Sequence, residues 1–183
     1  MTTAGFIKDI LIDNPQNAAW NIRRILHTAD PHKSWLWKES EMHYSGVDVK
    51  GKRTLMLGSD YGVTPMYLIE KGAESVVGFS LWKQYFFHPR YTHIRERFTT
   101  DGIRGMDFDV LFADCEGCEY QLREYFLSSL DDYVICFHDP IGNQQLFDYV
   151  KSQSVSITPP LEVGRLGVGR YSKEIAILMK GKK

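Results

Sequence analysis

Two glycines four residues apart, Gly58 and Gly62, have the spacing in this sequence that most directly suggests chemistry. An apolar strand runs into them, and a helix follows with Thr64 as its expected cap and Pro65 in its first turn. Gly58 permits a sharp bend after the strand, and Gly62 removes a side chain where an adenosine-bearing ligand would lie against the backbone. The spacing is not that of pyrophosphate binders, and no Gly-Lys-Ser/Thr follows. We therefore expect a nucleotide-binding turn that does not cradle phosphate.

Carboxylates and a histidine follow two later apolar segments. Asp114 and Glu116 come after the first segment, and His138 and Asp139 come after the second. A histidine or a carboxylate can remove a proton from a hydroxyl or an amine, and several carboxylates can alternatively hold a hard cation. The structural alternative is that Asp114 and Glu116 cap the next helix while residues 138–140 form a turn.

The three cysteines are Cys115, Cys118 and Cys136, and their odd number argues against a disulfide framework. The C-x2-C spacing, with Cys136 and His138 nearby, permits a zinc site. However, Cys136 alternates with His138 on one side of an apolar strand, where a small core residue is the simpler interpretation. We therefore expect no metal site, and the context of a thioredoxin-like redox pair is missing as well.

Size and composition indicate one globular domain. The 183 residues are 43% apolar, which is enough for a substantial core, and two domains would be cramped. Lys and Arg number 22 against 23 acids, so the net charge of -1 gives no general attraction to nucleic acid or to an anionic membrane. No apolar run approaches the ~18 residues that span a bilayer, and residues 1–13 lack a signal pattern. We expect a single cytoplasmic domain, residues 1–183, with no membrane partner.

Apolar segments and helix signals alternate from Lys52 onwards, which is typical of an α/β protein whose parallel strands are covered on both faces. Upstream, residues 14–26 have helical spacing, and residues 28–50 follow no clear period and are interpreted as an arm or lid. The sequence predicts strands Thr54–Leu57, Ser75–Phe79, Asp109–Ala113 and Tyr133–Phe137, helices Pro65–Lys71, Glu119–Leu130 and Gln144–Ser152, and a closing antiparallel hairpin of Leu161–Val168 and Ile175–Met179.

The glycine turn, Leu-Gly-Ser-Asp-Tyr-Gly at residues 57–62, resembles that of class I S-adenosylmethionine-dependent methyltransferases. Residues 108–119 are more narrowly similar to the acidic Asp-x-Glu-Gly-x-Glu motif of FkbM-type members. The resemblance covers roughly Lys52 to Met179. It implies a three-layer αβα sandwich, with a Rossmann-like, mostly parallel seven-stranded sheet ordered 3-2-1-4-5-7-6 and a C-terminal antiparallel hairpin. S-adenosylmethionine would lie over the carboxyl ends of the first strands, as the general rule for open α/β sheets also predicts.

The resemblance also implies a set of site residues. The expected cofactor pocket consists of Gly58, Ser59, Asp60, Tyr61, Gly62, Phe79, Ser80, Asp101, Asp114 and Cys115. Asp60 would reach the amino group of the methionine moiety, directly or through water, unless it forms an Asx turn. Ser80 stands where such enzymes usually have an acid for the ribose hydroxyls, so that grip would be weaker. Asp101, in an expected loop of residues 99–105, would meet the adenine amino group.

The resemblance makes the strands before Asp114 and His138 neighbours, so the expected catalytic residues Asp114, Glu116, His138 and Asp139 would converge beside the transferable methyl group. The first hypothesis is a methyltransferase acting on an oxygen or nitrogen nucleophile of a small molecule or RNA. The second is a non-catalytic module that binds an adenosine ligand or RNA. Residues 82–98 interleave aromatic and basic side chains, which suits stacking with RNA. We favour the simpler interpretation that the rings belong to the core and to the adenine pocket while the cations are solvated.

Overall fold

The computed structural model of the protein describes residues 32, 35–59, 62–81, 84, 87–115, 117–138, 142–162 and 175–182. The predicted helix at residues 14–26 lies outside the described residues. The same holds for Asp60, Tyr61, Glu116 and Asp139 of the predicted site.

The described chain alternates strands and helices. The strands are β1 (Arg53–Leu57), β2 (Ser75–Phe79), β3 (Tyr91–Ile94), β4 (Val110–Ala113), β5 (Asp132–Phe137), β6 (Ser154–Glu162) and β7 (Ile175–Lys182). The α-helices are α1 (Trp35–Tyr44), α2 (Val63–Glu70), α3 (Glu124–Leu127) and α4 (Gln144–Gln153), and two 3-10 helices span Thr100–Ile103 and Cys118–Gln121. None of the described helices combines the length and the apolar character needed to cross a bilayer.

Five strands form a parallel sheet in the order β3-β2-β1-β4-β5, which confirms the predicted parallel α/β core. The register pairs Leu57 with both Phe79 and Ala113, so β1, β2 and β4 end at one edge of the sheet. Strand β7 runs antiparallel to β5 and to β6 beyond it. The order reverses between β1 and β4, and in open α/β sheets ligands bind at such a switch point.

Alternate residues of the central strands face opposite sides of the sheet. In β1, Met56 packs with α1 and α2, whereas Leu55 and Leu57 pack with α3 and α4 on the other side. Strand β4 repeats the pattern with Phe112 on the first side and Leu111 on the second. All five side chains are fully buried. The sheet is therefore covered by helices on both faces, as its continuous apolar strands require.

Residues 35–49 differ from the expected arm or lid. They begin with helix α1, in which Trp37 packs edge-on against Tyr67 at 5.3 Å between ring centroids. Tyr44 packs in the same way against Phe112 of the sheet at 4.8 Å. The apolar side chains of α1 are few and large. They anchor this helix in the core without the regular helical spacing by which an amphipathic helix is predicted from sequence.

Thr64 does not cap helix α2 as predicted. Gly62 occupies the N-cap position with φ 97° and no side-chain cap, whereas Thr64 is fully buried inside the helix. Its hydroxyl lies 3.0 Å from that of Ser40, which donates to the carbonyl of Leu36 at 2.8 Å. The hydrogen bond between the two hydroxyls joins α2 to α1.

The predicted helix Glu119–Leu130 is interrupted. A 3-10 helix of residues 118–121 precedes an extended segment at Leu122 and Arg123, and only then does α3 begin. The break turns Leu122 into the core, where it is 1% exposed, and Glu119 into the interior, where it is fully buried. The expected loop of residues 99–105 likewise contains a 3-10 turn, capped by the Thr99 hydroxyl, which accepts from the Gly102 N–H at 3.1 Å.

An ion pair fastens the beginning of β1 to the beginning of β4. The Asp109 carboxylate accepts from the Arg53 backbone N–H at 2.8 Å and from its guanidinium Nε and Nη2 at 3.1 and 2.8 Å. These bonds to Arg53 hold the pKa of Asp109 below its ordinary value. A depressed folded-state pKa means that the pair stabilises the protein above the unfolded-state pKa of ~3.9 and stops doing so as the pH falls further.

We therefore expect Asp109→Asn to lower the free energy of unfolding by about 1 to 2 kcal/mol at neutral pH. The difference from wild type should shrink as the pH falls below about 4, because wild-type Asp109 then becomes protonated. Denaturant unfolding at several pH values measures this. Asp107→Asn is the matched control: its side chain is 82% exposed and lies 3.4 Å from Arg53 Nη1, so it should change stability by less than about 0.5 kcal/mol. A pH-independent loss in the Asp109 variant would contradict the assignment.

Candidate functional site

The carboxyl edge of the parallel sheet is held together by backbone hydrogen bonds beyond the strands themselves. The Gly58 N–H donates to the carbonyl of Phe79 at 2.9 Å, which ties the end of β1 to the end of β2. The Asp114 N–H donates to the carbonyl of Leu57 at 2.8 Å, which ties β4 to β1. The residues that follow these strands are therefore positioned by the sheet.

The glycine turn is tight because its backbone passes directly against β4. Gly58 has φ +83°, and a Cβ at this position would overlap the Asp114 carbonyl oxygen and lie 2.7 Å from its carbon. Gly62 has φ +97° and donates its N–H to the carbonyl of Ser59 at 2.6 Å. Ser59 is fully buried, and within the described part of the chain its hydroxyl has no hydrogen-bond partner. The turn thus presents backbone and one unsatisfied hydroxyl.

The remaining predicted cofactor residues are placed differently from one another. Phe79 is 5% exposed and packs edge-on against Phe98 at 5.5 Å, so it belongs largely to the core. Ser80 follows it at the end of β2 and is 8% exposed. The Asp101 side chain is 82% exposed and forms an ion pair with Arg104 at 2.9 Å. Ser80 therefore lies at the sheet edge, whereas Asp101 is engaged at the surface.

His138 lies between two carboxylates at the ends of β4 and β5. Its Nε2 is 3.3 Å from Asp114 Oδ1, and its Nδ1 is 3.2 Å from Glu119 Oε1. The side chains of His138, Asp114 and Glu119 are 10%, 22% and 0% exposed. We call these three residues the His138 cluster. Asp114 is its most accessible member.

The electrostatics of the His138 cluster favour a protonated ring. Burial lowers the pKa of His138, but the hydrogen bonds to Asp114, Cys136 and Glu119 outweigh burial and raise this pKa well above its ordinary value. A protonated ring donates from both nitrogens, one to each carboxylate. In this protonation state His138 donates a hydrogen bond to each carboxylate and fixes both of them, while its role as a proton acceptor stays a prediction.

Glu119 is the member of the cluster that the sequence analysis did not assign to the site. Its Oε2 accepts from the Gly117 N–H at 2.7 Å, while Oε1 faces His138. Glu119 is the last acid of the Asp-x-Glu-Gly-x-Glu pattern, and this pattern is the feature of the sequence that could have assigned it to the site. The sequence instead predicts Glu119 as the first residue of a helix. Gly117 caps the 3-10 helix with φ 117° and no side-chain cap, so Asp114 does not cap it, contrary to the structural alternative.

A disulfide joins Cys115 to Cys118, which the odd cysteine count did not predict. The turn at Gly117 brings the two Cα atoms to 5.5 Å, within the range that a disulfide spans. Cys136 is the free thiol of the described chain. It is 2% exposed within the core, as predicted, and burial raises its pKa to about 12.

Comparison with known proteins finds two viral relatives. Uncharacterized protein 158B of Sulfolobus islandicus rod-shaped virus 1 is 32% identical over 124 residues, covering 63% of this chain and 77% of the relative. Uncharacterized protein 65 of Sulfolobus islandicus filamentous virus (isolate Iceland/Hveragerdi) is 26% identical over 115 residues, covering 59% of this chain and 73% of the relative. No known family profile matches the chain, so FkbM-type membership is not shown.

Solved structures with a similar fold include methyltransferases. The C-terminal domain of precorrin-6Y C5,15-methyltransferase from Rhodobacter capsulatus superposes with a TM-score of 0.56 at 9% identity, covering 80% of this chain and 89% of that one. A protein described as a ribosomal RNA methyltransferase from Plasmodium falciparum gives 0.55 at 14% identity, covering 81% and 95%. One described as an S-adenosylmethionine-dependent methyltransferase from Listeria monocytogenes gives 0.52 at 14% identity, covering 80% and 97%. At these identities the likeness shows the fold alone.

Proposed function

The chain belongs to the same family as protein 158B of Sulfolobus islandicus rod-shaped virus 1, and from this premise and its methyltransferase fold we propose that it is an S-adenosylmethionine-dependent methyltransferase acting on an oxygen or nitrogen nucleophile. The observation that carries the proposal is the His138 cluster at the ends of β4 and β5, whose Asp114 follows β4 beside the glycine turn, where the strand order reverses. A fold by itself does not imply function, whereas a buried charged cluster at the ligand-binding edge does support one.

The cofactor would lie across the ends of β1 and β2. The glycine turn would take the methionine moiety, with Asp60 and Tyr61 as further contacts that we propose from the sequence. The buried Ser59 hydroxyl, which lacks a partner within the described residues, would gain one from the ligand. Ser80 would hold one ribose hydroxyl. Asp101 pairs with Arg104 through Oδ1, so an adenine contact would use its other carboxylate oxygen.

Catalysis would consist mainly of alignment, because the methyl group of a sulfonium is already activated. The nucleophile forms a bond to this methyl carbon, and the sulfur–carbon bond breaks with its electron pair staying on sulfur, giving S-adenosylhomocysteine. We assign the nucleophile's proton to Asp114, the most exposed carboxylate of the cluster, with Glu116 and Asp139 as further candidates from the sequence. His138 and Glu119, which are more deeply buried, would hold Asp114 in place.

RNA is a candidate acceptor beside small molecules. In the predicted basic and aromatic segment, Phe98 is buried at 3% exposure, whereas Phe87 is 76% exposed. Arg95 and Arg97 follow β3 and are exposed. An exposed ring and exposed cations within one segment are residue types that a single nucleic-acid strand contacts. These residues favour RNA as the alternative ligand, for either a transferase or a non-catalytic module.

Calorimetric titration with S-adenosylmethionine and S-adenosylhomocysteine tests the cofactor assignment. We expect both to bind in the micromolar range, about -8 kcal/mol at 1 μM. Ser80→Asp should tighten binding severalfold, because a carboxylate accepts from both ribose hydroxyls, and Ser80→Ala is its size control. Incubation of the protein with a cell extract and methyl-labelled S-adenosylmethionine should then yield a labelled small molecule or RNA. Binding without any labelled acceptor would favour the non-catalytic module, and absence of binding would refute the methyltransferase.

A further inference from the structure

We propose that Asp114, Cys136 and His138 form a site for a Zn²⁺ ion, with Glu119 orienting the histidine. Their ligand atoms, a carboxylate oxygen, a thiol sulfur and an imidazole nitrogen, all lie within 4.8 Å of one another. The site goes beyond methyl transfer and does not depend on it, because metal binding requires only these side chains. The sequence predicts no metal site, and the zinc site that its C-x2-C spacing would permit has a different set of ligands.

The separations of the ligand atoms suit a tetrahedral ion. His138 Nε2 is 3.3 Å from Asp114 Oδ1 and 3.9 Å from Cys136 Sγ. Around a tetrahedral Zn²⁺, with bonds of about 2.0 to 2.3 Å, neighbouring ligand atoms stand roughly 3.3 to 3.7 Å apart. The third separation, between Asp114 and Cys136, is within 4.8 Å, so side-chain shifts of about 1 Å or less would bring all three atoms into the coordination shell.

The sheet positions the three ligands on rigid backbone. Cys136 lies in β5, and Asp114 and His138 immediately follow β4 and β5, two strands whose register pairs Ala113 with Ile135. Asp114 therefore continues β4 beside Cys136, and His138 is two residues further along β5, on the same face as Cys136. Ligands held at strand ends need little reorganisation to receive an ion.

Glu119 supplies the outer-shell contact that metal-binding histidines usually have. Its Oε1 lies 3.2 Å from His138 Nδ1, so the ring presents Nε2 to Asp114 and Cys136. Its Oε2 is held by the Gly117 N–H at 2.7 Å, which keeps the carboxylate in this orientation. Glu119 is fully buried and acts as a positioning residue.

The disulfide decides between two possible ligand groups. Cys115, Cys118 and Glu119 also lie within reach of one another, but the two sulfurs are bonded to each other and cannot serve as thiolate ligands. Cys136 is the free thiol of the described chain. Of the two ligand groups among the described residues, only the one that contains His138 has all of its ligand atoms available for a metal ion.

The donor set selects Zn²⁺ over Mg²⁺ or Ca²⁺. Sulfur and imidazole nitrogen suit Zn²⁺, whereas Mg²⁺ and Ca²⁺ require oxygen ligands. The ion would take the place of the proton on His138 Nε2 and of the Cys136 thiol proton. Three protein ligands leave a fourth position open on the side of Asp114, the most exposed of the three, as in catalytic rather than structural zinc sites.

Cobalt titration tests the site, because a thiolate bound to Co²⁺ gives a characteristic charge-transfer absorption. The protein is treated with chelator, kept free of reductant and titrated with Co²⁺, with no S-adenosylmethionine present. We expect one Co²⁺ ion per chain and a thiolate absorption band. The band should disappear when added Zn²⁺ displaces Co²⁺. Cys136→Ala should abolish the band and weaken Zn²⁺ binding by about 10²-fold or more, and Glu119→Gln should weaken it by about tenfold to 10²-fold.

The double variant Cys115→Ser/Cys118→Ser is the matched control, because it removes two sulfurs and leaves Cys136 in place. It should retain the band. Absence of the band in the wild type would overturn the proposal, as would its persistence in Cys136→Ala or its loss in the double variant. If Cys136→Ala does not fold, the wild type and the double variant still decide. A chain that binds Zn²⁺ but no S-adenosylmethionine would refute the proposed function alone.

Discussion

Gly58→Ala is expected to lower the free energy of unfolding by about 3 kcal/mol or more and to abolish S-adenosylmethionine binding. Two costs combine at this position. The backbone has φ +83°, where an L-residue is less stable than glycine by about 1 to 2 kcal/mol. The added Cβ would also overlap the Asp114 carbonyl, which is backbone and cannot rotate away, so the turn or β4 must shift at a further cost of about 1 to 3 kcal/mol.

Gly51→Ala separates these two costs. Gly51 has φ +68°, but a Cβ there has no atom within 4 Å, so this variant carries the conformational cost alone. It should lose about 1 kcal/mol and keep its affinity for the cofactor. Denaturant unfolding and calorimetry on both variants provide the measurements. Equal losses of stability in the two variants would mean that the approach of the glycine turn to β4 is not tight.

The strands of the parallel sheet could be predicted from sequence because each one is fully covered. A strand buried on both faces is a short continuous apolar run, so β2 was predicted with its observed bounds, and β5 begins one residue before the prediction. The turn after β1 was equally predictable from sequence. The backbone at Gly58 and Gly62 has positive φ, and this local requirement favours glycine.

The parts that could not be predicted depend on contacts across the fold. Helix α1 is held by Trp37 and Tyr44 against residues of α2 and β4, which no periodicity within α1 encodes. Glu119 has the residue type of a helix N-terminus, but its partners lie at Gly117 and at the end of β5, and satisfying them breaks the predicted helix. Tertiary hydrogen bonds here override local propensity.

Glu119 contributes both to the candidate site and to the stability of the fold. It is fully buried, and its two oxygens serve different donors, Gly117 N–H and His138 Nδ1. The Tyr120 hydroxyl also donates to the carbonyl of His138, so both residues of this short helix fasten the end of β5. A buried carboxylate with no such partners would be strongly unfavourable. The packing of this segment therefore depends on the charge and hydrogen bonding of Glu119 as well as on its volume.

We expect Glu119→Gln to lower the free energy of unfolding by about 3 to 5 kcal/mol, although the two side chains have nearly the same shape. Glutamine has one acceptor oxygen, so in either orientation its NH₂ group faces one of the two donors, Gly117 N–H or His138 Nδ1–H. The change also removes one of the charges that compensate a buried histidine, and breaking such a pair from one side costs about 3 to 5 kcal/mol.

Chelator-treated protein is the appropriate sample for this comparison, because a bound ion would add its own stabilisation to the wild type. Glu124→Gln, an exposed acid in the first turn of α3, is the matched control and should change stability by less than about 0.5 kcal/mol. Equal unfolding free energies for Glu119→Gln and wild type would mean that the two oxygens do not serve two donors. Glu119 would then fill space only, and the argument that it orients His138 would fail with it.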